Sequence, residues 1–73
     1  MKEKALELYR RLIDYFGVPV VERVDVTGVT FRWKDTFRLH IGEVVHYYQG
    51  DTLWQLINNE WKNIDGKESW FLR

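Results

Sequence analysis

Apolar side chains recur at three- and four-residue steps up to Phe16 and at two-residue steps from Val20 onward. The first pattern predicts an amphipathic helix over residues 2–16. Ala5, Leu8, Tyr9, Leu12, Ile13 and Phe16 form one stripe, and Lys4, Glu7, Arg11 and Asp14 lie on the other side. Glu7 and Arg11 stand four apart in the favourable order for a helical ion pair. Gly17 can take the left-handed conformation that closes a helix, and Pro19 keeps it from resuming.

Beyond Val20, short β-rich runs alternate with turn signals at Thr27-Gly28, Lys34-Asp35-Thr36, Gly42-Glu43, Gly50-Asp51, Asn58-Asn59 and Asp65-Gly66. This is the pattern of an antiparallel meander. Two-residue loops at Thr27-Gly28, Gly42-Glu43 and Gly50-Asp51 are expected. A three-residue loop at Lys34-Asp35-Thr36 keeps Phe31 and Phe37 on one face. These loops put Val24, Val26, Val29, Phe31, Trp33, Phe37, Leu39, Ile41, Val44, Tyr48, Leu53 and Ile57 on the face that the helix covers. Glu22 falls on this face too, opposite Trp33 at a strand end.

Residues 52–64 fit two readings. As strands, Asn58-Asn59 makes one hairpin and Asp65-Gly66 the next, with Trp61 opposite Trp70. As a second helix, Thr52 and Gln55 form a capping box and Gly66 closes the end. Three asparagines and an early Trp form helix poorly, so strands are preferred. The expected fold is α+β: an N-terminal helix packed on an antiparallel meander of four to seven short strands, curling toward a partly closed barrel.

Length changes this picture little and composition somewhat more. A chain of 73 residues allows one domain, residues 1–73, with a small core. It has no cysteine, so disulfides and thiolate metal sites are excluded. Four Trp, four Tyr and four Phe supply the apolar area instead. Eleven basic and eleven acidic residues give a formal charge of zero, which argues against a generic nucleic-acid or membrane-surface binder. No apolar run approaches the ~20 residues of a bilayer span, and no secretory signal core is present. A cytoplasmic protein with no membrane partner is expected.

Candidate chemistry is sparse. Ser69 is the only serine. With a Gly42-Glu43 turn, His40 and His46 point to opposite faces and cannot share a metal ion. Asp25, Glu43, Asp51, Glu60, Asp65 and Glu68 sit at turns or strand ends, where local capping explains them. No phosphate loop, zinc spacing or EF-hand pattern occurs. The expectation is no catalysis, no cofactor and no metal.

The second face of the sheet draws more interest. The same registers align Arg23, Arg32, Arg38, Tyr47 and Trp54 in one transverse row, three guanidiniums followed by two rings. Like charges directly opposite each other weaken a sheet, so folding alone would not select them. Asp25, Thr30, His40, Val45 and Leu56 form the neighbouring row, which the strand reading of residues 52–64 continues to Trp61 and Trp70. The face reads as a solvated surface, as a protein-binding surface (self-association in a homodimer included), or as a single-stranded nucleic-acid platform. The expected function is protein binding through Arg23, Arg32, Arg38, Tyr47 and Trp54, with single-stranded nucleic acid as the alternative. The small, cysteine-free build suits an accessory or inhibitor protein of a phage or mobile element.

Overall fold

The computed structural model describes residues 2–72, apart from the side chains of Lys2 and Trp70. A helix, α1 (Lys2–Phe16), precedes six strands: β1 (Val20–Asp25), β2 (Gly28–Trp33), β3 (Phe37–Gly42), β4 (His46–Gln49), β5 (Thr52–Ile57) and β6 (Glu60–Asn63). A single 3-10 turn, Trp70–Leu72, follows. The strands lie in chain order in one antiparallel sheet, so the fold is the expected α+β meander. The sheet stays open, with β1 and β6 as its edges, and does not curl into the barrel expected from the sequence. No helix among the described residues is long and apolar enough to cross a membrane.

The helix forms and stops for the reasons its sequence gives. Gly17 has φ of 89°, and its N–H bonds the Ile13 carbonyl at 2.8 Å. The Trp33 indole N–H then donates to the Gly17 carbonyl at 2.8 Å, fastening the end of α1 to the end of β2. Ala5, Leu8 and Leu12 are buried, with Tyr9, Ile13 and Phe16 packed around them. Tyr9 meets Phe31 at 4.9 Å between ring centroids, and Phe16 meets Phe37 at 4.6 Å. Phe71 closes the far side of this layer. It is 1% exposed, its ring is 5.6 Å from Phe16 and 5.7 Å from Phe37, and its carbonyl accepts a hydrogen bond from Arg11.

Three of the expected turns are in register. Trp33 pairs with Phe37 across Lys34-Asp35-Thr36, so Phe31 faces Leu39 and Arg32 faces Arg38. Gln49 pairs with Thr52 across Gly50-Asp51, so Tyr47 faces Trp54. Ile57 pairs with Glu60 across Asn58-Asn59, both of which are left-handed with φ of 52° and 63°. Asparagine tolerates that conformation, and a tight two-residue hairpin demands it, so residues 52–64 form strands and no second helix. No hairpin forms at Asp65-Gly66. The Asp65 N–H bonds the Asn63 side chain at 2.7 Å, and Trp70 enters the 3-10 turn while Trp61 pairs with Leu56. The expected Trp61–Trp70 facing is therefore corrected, and the Trp70 side chain itself lies outside the described residues.

Two turns differ from expectation. Between β1 and β2, the Asp25 carboxylate accepts hydrogen bonds from the Thr27 N–H and hydroxyl. This sets the loop at Val26-Thr27 and pairs Asp25 with Gly28. Between β3 and β4, His40 pairs with His46, leaving residues 41–45 to make the turn. Gly42 is not the left-handed residue of a tight loop. It faces Gly28 across β2 and β3, where an added Cβ would stand 1.8 Å from the Thr27 carbonyl oxygen. A Cβ on Gly28 would meet the Ile41 oxygen at 2.3 Å. Both glycines serve this backbone approach.

An odd-numbered connection in place of an even one inverts every later side chain. Val45, Tyr47, Trp54 and Leu56 are consequently buried under α1, with Trp61 packed against them. Val44, Tyr48, Leu53 and Ile57, expected beneath the helix, are not part of that cluster, and Val44 is 59% exposed.

Candidate interaction surface

The face that α1 leaves uncovered is built from β1 to β5. Arg32 and Arg38 stand directly opposite each other there, as expected. Arg23 does not join their row: it pairs with Thr30. Tyr47 and Trp54 lie on the helix side, at 0% and 8% exposure. The five residues Arg23, Arg32, Arg38, Tyr47 and Trp54 are therefore split between two faces, because the turn after β3 carries one residue parity more than a tight loop. Among the described residues, the Tyr47 hydroxyl and the Trp54 indole N–H find no hydrogen-bond partner, and burial raises the Tyr47 phenol well above its ordinary pKa.

The arginines are also less isolated than their alignment implied. The pairing of β1 with β2 shifts between Val21 and Arg23, making a bulge at Glu22. The bulge turns the Glu22 carboxylate onto the uncovered face, away from Trp33. One of its oxygens lies 3.6 Å from Arg32 Nε and the other 3.1 Å from Arg38 Nε. Arg23 pairs with Asp25 at 2.9 Å. Arg32 further donates to the Lys34 carbonyl at 3.1 Å.

Beside these ion pairs the two histidines stack, with centroids 4.9 Å apart and planes inclined by 17°. They share a face, contrary to the opposite orientation expected from a two-residue turn. His40 is buried and held at both nitrogens, Nε2 by the Thr27 carbonyl at 3.1 Å and Nδ1 by the Thr30 hydroxyl at 3.0 Å. A carbonyl only accepts, so Nε2 carries the proton and Nδ1 accepts from Thr30 when the ring is neutral. The His46 pKa lies below 6.5, held down by burial first and then by His40 and Arg23. Tyr48 meets His46 edge-on at 5.7 Å. Glu22, Arg23, Arg38, His46 and Tyr48 rim a shallow groove of about 380 Å³.

No family model, curated protein or solved structure matches this chain.

What the surface can do follows from its groups. Both nitrogens of His40 are engaged, and no group of three or more metal-ligating side chains occurs among the described residues. The face offers hydrogen-bond donors, paired carboxylates, one phenol and flanking aliphatic carbon. The bulge at Glu22 escaped the sequence reading. Its only trace was a charged residue in an apolar phase, which a bulge resolves by turning the side chain over.

Proposed function

We propose that this chain is a non-catalytic protein-binding module whose contact surface is the uncovered face of its sheet, centred on Arg23, Arg32, Arg38 and Tyr48. The observation that carries the reading is the bulge carboxylate. Glu22 and Asp25 offset the guanidiniums, so the face presents alternating charge around a tyrosine ring instead of a positive field. Arginine and tyrosine are prominent among residues that anchor protein contacts, and mixed charge fixes register with a complementary partner.

Single-stranded nucleic acid is the weaker alternative. It needs exposed rings to stack bases and free cations to hold phosphates. Trp54 and Tyr47 belong to the core, and the arginines already have carboxylate partners.

The test uses immobilised wild-type protein and a Tyr48→Ala/Arg38→Ala variant in the source-cell lysate, alongside a labelled mixed-sequence single-stranded oligonucleotide. The expected result is a protein retained by the wild type and lost by the folded variant, at an affinity that falls only modestly with salt, as screening of a few rim charges requires. Identical retention by both proteins counts against the reading. So does oligonucleotide binding that weakens steeply between low and physiological salt.

A further inference from the structure

We propose that β1 is the seam at which two copies of this chain join, edge to edge and antiparallel, about a two-fold axis between Glu22 and Arg23. The sheet has two edges of unlike character. β6 is four residues long, and its outward Glu60 and Lys62 pair at 3.1 Å, which gives a short, charged edge of the kind that resists further pairing. β1 is six residues long and exposed throughout. Val20, Val21 and Val24 are 55%, 54% and 69% exposed, and Val18 and Val26 extend the apolar line beyond both ends. An edge strand has backbone N–H and C=O groups directed away from the sheet, available to another strand.

The bulge selects which strand. It places one extra residue, Glu22, between Val21 and Arg23, so Val21 and Val24 share a face: they pair with Phe31 and Val29, two apart on β2. A regular strand could follow this edge only through a register shift like the one β2 makes. A second copy carries the matching residue. About the proposed axis, Val21 lies against Val24 of the partner subunit, and Glu22 lies against Arg23 of the partner subunit. Symmetry repeats both contacts. The segment Val21-Glu22-Arg23-Val24 is thus its own complement in charge and in apolar pattern. The Glu22 carboxylate, shared within the chain by Arg32 and Arg38, retains lone pairs for a third donor. Because the axis is two-fold and β6 is blunted, the assembly closes at two copies instead of growing into a fibre.

The seam is distinct from the uncovered face, and the proposal holds whether or not that face binds a protein. Sedimentation equilibrium of the full chain should show a monomer–dimer equilibrium. Val21→Lys/Val24→Lys, which changes only exposed side chains, should weaken association at least tenfold with an unchanged circular dichroism spectrum. The native chain has no cysteine, so register can be read by cross-linking. Val21→Cys and Val24→Cys proteins, mixed and mildly oxidised, should form a disulfide heterodimer. Each alone should not, because like positions stand about three residues, roughly 10 Å, out of register, beyond disulfide reach. The proposal is overturned by a wild type that stays monomeric at millimolar concentration, by a dimer indifferent to the lysines, by absence of the mixed cross-link, or by cross-linking as efficient in the single variants.

Discussion

Replacing Glu22 by Gln removes the charge between Arg32 and Arg38 while keeping the side chain's bulk. The three side chains are 35%, 31% and 43% exposed, so their interaction is screened but not fully solvated. Ion pairs of this exposure contribute about 0.2–1 kcal/mol each. Two are weakened, and the cross-strand guanidinium pair, worth about 0.2–1 kcal/mol of repulsion, loses its counter-charge. The expected destabilisation is about 1–2 kcal/mol. For a chain of this size that lowers the melting temperature by roughly 5–15 °C. Arg32→Ala alone should also destabilise, despite relieving the repulsion by Arg38, because it removes the pairing with Glu22 as well. In the Glu22→Gln background the same Arg32→Ala change should cost less or become stabilising. Thermal and urea unfolding of the four proteins completes a double-mutant cycle, and 1 M salt should shrink its coupling energy. A Glu22→Gln protein melting with the wild type, or a coupling energy below about 0.3 kcal/mol, would refute the electrostatic account of the bulge.

Gly42→Ala should abolish the native sheet, since its Cβ would meet the Thr27 carbonyl oxygen at 1.8 Å, and loss of dispersed amide signals in a proton–nitrogen NMR spectrum checks this. Tyr47→Phe removes a buried hydroxyl that lacks a partner among the described residues. Its urea midpoint should hold or rise, with a gain of up to about 1 kcal/mol. The His46 pKa is lowered in the fold, so the unfolded chain binds its proton more readily as pH falls through 6.5. Stability from this group is therefore complete above that pH and is lost on acidification toward the folded pKa; His46→Gln should flatten the slope of urea midpoints between pH 7.5 and 5.

The helix was legible because six apolar residues fix one stripe and Gly17-Pro19 ends it, signals that need no tertiary information. The loops at Lys34–Thr36, Gly50-Asp51 and Asn58-Asn59 were legible for the same reason: their residues are selected by their own backbone geometry. Gly42 was misleading because its glycine answers to Thr27, which is distant in sequence. One parity error there carried Tyr47 and Trp54 onto the wrong face and took the expected binding row apart. Phe71 was overlooked as a core residue because a lone apolar triplet near the last position has no periodicity to announce its face. Arg32 opposite Arg38 was read correctly, but the carboxylate that reconciles them reaches their face only through a bulge, which no alternation of residues displays.

The strand order has a kinetic consequence. Every strand pairs with its chain neighbour, so each ladder closes across a connection of a few residues, and the chain spends little entropy in bringing partners together. Such low contact order favours rapid assembly, hairpin upon hairpin, from any starting point along the sheet. The layer above the sheet obeys a different rule. It is sealed where Arg11 reaches the carbonyl of Phe71, sixty residues downstream. During synthesis the helix emerges ahead of the sheet, yet its apolar stripe cannot be fully enclosed until residue 71 has left the ribosome. Until then Leu12 and Phe16 remain open on that flank, and the growing chain is a formed ladder with an unfastened cover.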